Sequence, residues 1–130
     1  MIDDVADLTK KVFNSDAKDT LAFGKFGIEK ESLRVSQSTI SRKQHQESMG
    51  SPLCHRYITT DFSEAQLELI TSPLIDKKTG LNFLENIHHF VSHKIEDEII
   101  WPFSMPPFIK SDADIPIAFY GSSNLALFKT

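Results

Sequence analysis

The residues best suited to chemistry in this 130-residue chain are carboxylates at short spacings. Glu29 and Glu31 stand two apart in a predicted strand, so both side chains point to one face, with Cα atoms about 6.5–7 Å apart. Asp61, Glu64 and Glu68 form a second group. If the two segments lie side by side, four or five carboxylates converge, and their mutual repulsion must be neutralised by cations. Hard oxygen ligands favour Mg²⁺ or Mn²⁺. A solvated sheet face explains the same spacing, so the pattern alone leaves both interpretations open.

Other reactive side chains form weaker patterns. His89 and His93 share one face of a predicted helix, but no HExxH motif accompanies them, so an exposed polar face is favoured over a zinc site. Cys54 and His55 are adjacent, and neighbours in a strand point to opposite faces, which disfavours a nucleophile and its base. The segment 121–124 (GSSN) lacks both common phosphate-loop patterns and is predicted to be an ordinary turn.

Two predicted strand segments carry the carboxylates. The first covers 21–35, and the second lies within 57–71, whose end, AQLELIT, alternates with period two. In the second segment Gln66 and Glu68 share the polar face, although part of it could also form a helical turn. The polar stretch 36–53 predicts a long hairpin loop, and 115–120 predicts a last short strand.

Helices are predicted at 3–14 and at 79–99. The first has Asp3 or Asp4 as its cap. The second has a broad apolar stripe, Thr79 as its cap and Pro102 as its end. The segment that follows, WPFSMPPFIK, must be extended and irregular because it holds three prolines.

Composition excludes several classes of protein. The net charge of −4 and pI near 5.7 provide neither a basic nucleic-acid footprint nor a polybasic membrane patch. The first residues carry no signal-peptide pattern, no apolar stretch is long enough to span a membrane, and the only cysteine is Cys54. We therefore expect a cytoplasmic protein of one domain, or a piece of one, with no nucleic-acid or membrane partner.

Four stretches together resemble one family. In order they are FGIEKESLRV, ITTDFSEAQLELIT, WPFSMPPFI and AFYGSSN. They are similar to the N-terminal part of bacterial glutamate–cysteine ligase, also called γ-glutamylcysteine synthetase, and the similarity runs from about Gly24 to Thr130. Four matches in the right order are far more specific than any one of them.

The resemblance implies an α+β, glutamine-synthetase-like fold with a largely antiparallel sheet and packed helices. It implies ATP-dependent ligation of L-glutamate to L-cysteine through a γ-glutamyl phosphate, the first step of glutathione synthesis, with Mg²⁺ (or Mn²⁺) as cofactor and ATP as substrate. Residues 1–130 would be the N-terminal portion of the catalytic domain, and the C-terminal part of the same enzyme would be their partner.

The resemblance also implies roles for individual residues. Glu29, Glu31, Asp61 and Glu68 match the metal ligands of the family, and Phe62 matches an aromatic residue that lines the cysteine pocket. Glu64 lies between two ligand positions and is carried over less directly. No residue of this chain is assigned as catalytic.

Two departures from the family keep other interpretations open. The family chain is several times longer, and Ala126-Leu127 stands where the family typically has Gly-Arg. The isolated chain is therefore expected to be inactive and to expose an apolar surface where its missing neighbours would pack. The alternatives are a non-catalytic remnant or binding module, and a related carboxylate–amine ligase with another acceptor amine.

Overall fold

Residues 4–120 are described by the computed structural model. Their strands form one antiparallel sheet in the order β2-β1-β4-β3, with β5 also paired to β1. The strands are β1 (Glu29–Ser36), β2 (Thr39–Ile40), β3 (Ile58–Thr60), β4 (Gln66–Ile70) and β5 (Ile99–Ile100). The helices are α1 (Val5–Phe13), α2 (Ala17–Ala22) and α3 (Lys77–Lys94), and short 3₁₀ turns lie at Glu47–Met49 and Asp112–Asp114. The predicted α+β fold with a largely antiparallel sheet is confirmed.

The two faces of the sheet differ because the strand residues alternate. In β4, Leu67 and Leu69 are buried, whereas Gln66, Glu68 and Ile70 are half-buried. This period-two pattern is typical of an antiparallel sheet that packs on one face only. The predicted division of 65–71 into an apolar and a polar face is therefore confirmed. The alternative helical turn is excluded for Gln66–Ile70, although a hydrogen-bonded turn from Ser63 to Gln66 precedes that strand.

The core lies between α3 and the apolar face of the sheet. Ile87, Val91 and Ile95 are buried, and their spacing places them on one side of the helix. Their partners from the sheet and its loops are Met49, Ile58, Leu67 and Leu69. Because α3 covers this face, the opposite face of the sheet remains open for polar side chains.

The ends of α3 differ from the prediction. Asp76, not Thr79, caps the helix: its carboxylate accepts hydrogen bonds from the Thr79 N–H at 2.6 Å and from the Thr79 hydroxyl at 2.7 Å. The helix stops at Lys94, well before Pro102, because Glu96 has a positive φ of 52° and reverses the chain. Ile99–Ile100 then pairs with β1. The helical pattern of 79–99 gave no indication of this strand.

The predicted strands also need two corrections. Only 29–36 of the first strand is extended in a ladder, because 17–22 forms α2 and Phe26 makes a single bridge to Leu74. Residues 115–120 form no strand and make one isolated bridge, between Ile117 and Ser63. The first helix is confirmed as α1, and Asp4 caps it by accepting the Ala6 N–H.

Arg34 joins the sheet to the loops around it. It is fully buried, and its Nη1 donates to the Glu98 carboxylate at 2.8 and 3.1 Å. Its Nη2 donates to the carbonyls of Lys43 and Glu64, each at 2.7 Å. One buried guanidinium therefore holds β1, two loops and the turn that follows α3. Over residues 4–120, no helix is both long and apolar enough to cross a membrane.

Candidate functional site

Carboxylates meet on the open face of the sheet, between β1 and β4. The antiparallel register places Glu31 directly opposite Glu68, and Glu29 opposite Ile70. Side chains directly opposite in such a pair have Cβ atoms about 4.5–5.5 Å apart. The Gln66 side-chain amide donates to Glu31 Oε2 at 2.8 Å and so fixes one oxygen of that carboxylate. The sequence therefore placed three glutamates correctly on one face.

Asp61 extends the same face at the end of β3. Thr59 lies opposite Glu68, and the Asp61 N–H donates to the Gln66 carbonyl at 3.2 Å, so the pairing continues one step beyond the strand. By alternation, Asp61 shares the face of Thr59 and Glu68. Three adjacent strands thus bring Asp61 to the same side of the sheet as the glutamates.

Glu64 belongs to the interior instead. Its side chain is buried and accepts two main-chain N–H groups, from His45 and from Phe119, each at 2.6 Å. Both oxygens are used to join separate loops. Glu64 is therefore a structural carboxylate, and the open face holds four of the five acidic residues that the spacing grouped together.

The donor set of this face suits a hard divalent cation. Among residues 4–120, no three His, Cys, Asp or Glu side chains approach closely enough to hold one metal ion. Mg²⁺ is commonly held by only one or two carboxylates, with waters and substrate phosphates as its other ligands. Like charges directly opposite in a sheet repel, and a cation between Glu31 and Glu68 would relieve that repulsion. The residues present therefore fit Mg²⁺ or Mn²⁺ in charge and ligand type.

Phe62 lies beside Asp61 and is open to solvent. Its side chain is 67% exposed, while its carbonyl accepts the Ala118 N–H at 3.0 Å. The main chain is thus held while the ring is left uncovered by the residues that the structure describes. An exposed ring beside a carboxylate can contact a small ligand bound near Asp61.

A cleft of 280 Å³ borders Glu31. Leu33 and Gln66 form one wall, and the proline-rich loop 101–106 forms the other. The loop is internally braced, since the Trp101 indole N–H donates to the Met105 carbonyl at 2.6 Å. The irregular structure predicted for this loop is confirmed, and it gives the open face one aromatic wall.

Tyr120 is a site neighbour that sequence reasoning missed. Its hydroxyl donates to the carbonyl of Thr60 at 2.5 Å and to that of Asp61 at 3.0 Å. Burial raises the pKa of the phenol, and the charges of Asp61, Glu64 and Glu68 raise it further, so the hydroxyl stays a donor. No spacing pattern links Tyr120 to a residue so far away in the sequence, and only the folded chain reveals the contact.

The other reactive residues make no site within residues 4–120. His89 and His93 are exposed on α3, and no metal-binding group includes them. Cys54 is exposed, and the neighbouring His55 uses Nδ1 to accept the N–H groups of Tyr57 and Ile58, at 3.2 and 2.9 Å. His55 thus shapes the backbone before β3. The segment 121–124 lies outside the described residues.

Comparisons with known proteins show the family to which this chain belongs. The sequence model of a family described as glutamate-cysteine ligase matches residues 9–130. A glutamate–cysteine ligase of Alcanivorax borkumensis is 48% identical over 120 residues, which are 92% of this chain and 23% of that protein. Another, of Wigglesworthia glossinidia brevipalpis, is 50% identical over 105 residues, which are 80% of this chain and 21% of that protein.

Two solved structures share the fold. The crystal structure of a glutamate–cysteine ligase from Francisella tularensis in complex with AMP has a TM-score of 0.74 and 38% identity, over 79% of this chain and 21% of that one. A bifunctional glutathione synthetase from Pasteurella multocida has a TM-score of 0.70 and 37% identity, over 78% and 15%. The chain spans only about a fifth of the length of the curated relatives that it matches.

Proposed function

Because the chain belongs to the glutamate–cysteine ligase family, we propose that it supplies part of the catalytic sheet of an ATP-dependent carboxylate–amine ligase. The substrates are L-glutamate, L-cysteine and ATP, and the reaction is the first step of glutathione synthesis. The family match over residues 9–130 carries this proposal. The acidic open face supports it, because the reaction gathers several anions in one place.

The chemistry explains why the open face is acidic. The terminal phosphoryl group of ATP passes to the γ-carboxylate of glutamate, which gives γ-glutamyl phosphate and ADP. The cysteine amine then attacks the acyl carbon and a C–N bond forms. Phosphate leaves with the C–O bonding electrons, and the nitrogen releases a proton to give the neutral amide. Magnesium ions, when bound, neutralise the phosphate and carboxylate charges that the reaction brings together.

We assign the metal ligands to the open face. Glu29, Glu31, Asp61 and Glu68 would hold Mg²⁺ or Mn²⁺, with the Glu31–Glu68 pair at the centre because these residues lie directly opposite each other. Phe62 would line the pocket for the cysteine side chain, which its exposed position beside Asp61 supports.

Residues 1–130 would form the N-terminal portion of the catalytic domain, and the rest of the enzyme would complete the site. We expect the isolated chain to form no γ-glutamylcysteine, because part of a metal and phosphate site cannot stabilise the transition state. Detectable product from the purified 130-residue chain would contradict this. The low cysteine content suits a reducing cytoplasm, where we place the enzyme.

Calorimetric titration with Mg²⁺, with and without ATP, tests the metal assignment. We expect saturable binding by the parent chain and at least about a tenfold loss of affinity in Glu31→Gln/Glu68→Gln, because both charged ligands at the centre are neutralised. Glu85→Gln is the matched control, since Glu85 is an exposed glutamate on α3, in the other layer of the fold.

Each outcome of the titration is decisive for this chain. Equal affinities in the double variant and the control would place the metal elsewhere. If the parent chain binds no Mg²⁺ in either condition, the preformed metal site is wrong for residues 1–130.

A further inference from the structure

The segment 116–120 lies antiparallel to the turn 61–64 and is hydrogen-bonded to it. The Glu64 N–H and the Ser63 hydroxyl donate to the Pro116 carbonyl at 2.8 and 2.9 Å. The Ala118 N–H donates to the Phe62 carbonyl at 3.0 Å. Residues 116–120 therefore hold the turn between β3 and β4 in place from a distant part of the chain.

Side chains complete the attachment at its other end. The Tyr120 hydroxyl donates to the carbonyls of Thr60 and Asp61, and the Phe119 N–H donates to the buried Glu64 carboxylate at 2.6 Å. In a regular strand, successive carbonyls point to opposite sides, so one hydroxyl cannot reach two in a row. Tyr120 therefore marks the point where the chain leaves β3 and turns.

Asp61 depends on such an attachment more than the other assigned ligands do. Glu29 and Glu31 lie within β1 and Glu68 lies within β4, so sheet ladders fix their backbones. Asp61 follows the last residue of β3, and its neighbour Phe62 is exposed. The Asp61 side chain can be aimed only as precisely as the turn is held.

We propose that Tyr120 is a positioning residue, whose hydroxyl fixes the carbonyls of Thr60 and Asp61 and thereby aims Asp61 at the open face of the sheet. The hydrogen bonds of Tyr120 to the turn do not depend on any function, whereas their effect on metal binding by Asp61 rests on the proposed function. Tyr120 need not touch a substrate or a metal, because it acts through the backbone of the turn.

Tyr120→Phe tests this directly, because it removes one oxygen atom and keeps the ring. Amide hydrogen exchange of the 130-residue chain, resolved by NMR, is the readout. We expect exchange at the hydrogen-bonded turn amides Asp61 and Glu64 to accelerate about fivefold, as for the loss of one hydrogen bond, while the buried β4 amides Leu67 and Leu69 stay protected.

Tyr57→Phe is the matched control. It removes the same oxygen from the only other tyrosine, whose ring packs on Phe83 in the core. We expect no change at the turn in this variant. Unchanged exchange at the turn in Tyr120→Phe would overturn the proposal, as would an equal acceleration in β4, which would show a general loss of stability.

Paramagnetic broadening by Mn²⁺ separates this proposal from the metal assignment. We expect Mn²⁺ to broaden the amide signals of Glu31, Asp61 and Glu68 in the parent chain, and to broaden Asp61 clearly less in Tyr120→Phe. If the turn loosens and Mn²⁺ broadens none of these signals, Tyr120 holds the turn and the metal assignment fails. If Mn²⁺ broadens Asp61 equally in both chains, the positioning role is wrong while the metal assignment stands.

Discussion

At the scale of single residues, the same side chain serves different purposes according to what surrounds it. Glu31 is exposed and Glu68 half-buried, and they lie opposite each other on the open face of the sheet, where we propose that they bind a cation. Glu64 lies in the same stretch of sequence as Glu68, but it is buried and accepts two main-chain N–H groups. Carboxylate spacing alone cannot separate these roles, because it does not say which oxygens the fold has already used.

His45 predicts how stability depends on pH. Its Nε2 contacts the Gly50 carbonyl at 3.0 Å, and its Nδ1 contacts the Thr60 hydroxyl at 3.2 Å. Because a carbonyl can only accept, the Nε2 atom carries a proton, and in the neutral ring Nδ1 accepts from the Thr60 hydroxyl. Burial, as the largest cause, lowers the pKa of His45 below 6.5. As the pH falls through the pKa of His45 in the unfolded chain, the unfolded chain binds a proton at this residue that the folded chain does not bind.

We therefore expect the free energy of unfolding to decrease as the pH drops below about 6.5, down to the folded-state pKa. Urea unfolding at pH 7.5 and at pH 5.5 measures the change, and His45→Gln should reduce it. His88, whose pKa is also lowered mainly by burial, should leave a residual slope. His89→Gln, at an exposed position, is the control. An undiminished pH dependence in His45→Gln would refute the assignment.

At the scale of elements, the helices and strands that depend on local sequence patterns were predicted correctly, and those that depend on contacts with distant residues were not. The alternation around Leu67 and the stripe around Val91 each indicate one buried face, and both elements form as expected. The predictions of a strand before Glu29 and of the end of α3 were wrong. Residues 17–22 form a helix, and α3 ends early because the chain turns at Glu96 and Ile99–Ile100 pairs with β1, a distant partner. The acidic face was predictable since period two fixes it, whereas the contact of Tyr120 with Asp61 has no local signature.

Arg34 tests how much one long-range contact holds the elements together. Both its side chain and that of Glu98 are fully buried. Arg34→Met should lower the free energy of unfolding by about 3–5 kcal/mol, because it leaves the Glu98 carboxylate buried without its cation. Urea denaturation measures the loss, and Arg34→Met/Glu98→Met should recover a large part of it.

Arg42→Met is the comparison for an exposed pair. Arg42 contacts Asp114, but its side chain is 66% exposed, so its loss should cost no more than about 1 kcal/mol. Equal losses in Arg34→Met and Arg42→Met would show that the buried pair does not lock β1 to its surroundings.

At the scale of the whole molecule, many large apolar side chains are exposed among residues 4–120. No residue of α1 is buried, although Val5, Leu8 and Val12 recur at helical spacing. Phe103, Phe108 and Phe119 are also mostly exposed. Large exposed apolar patches mark surfaces that another part of a protein covers. The family relatives, about four times as long as this chain, supply enough polypeptide to cover them.

The stripe on α1 gives the sharpest test of this idea. Replacing Val5, Leu8 and Val12 by glutamine should change the free energy of unfolding of the 130-residue chain by no more than about 1.5 kcal/mol, about 0.5 kcal/mol for each surface position, because the three residues stay 74%, 45% and 39% exposed. The same variant should bind less of a fluorescent apolar dye. By contrast, Ile87→Ala on the buried side of α3 should cost about 2–5 kcal/mol. If the glutamine variant were destabilised as much as Ile87→Ala, α1 would pack against residues of this chain, and no further polypeptide would be needed to cover it.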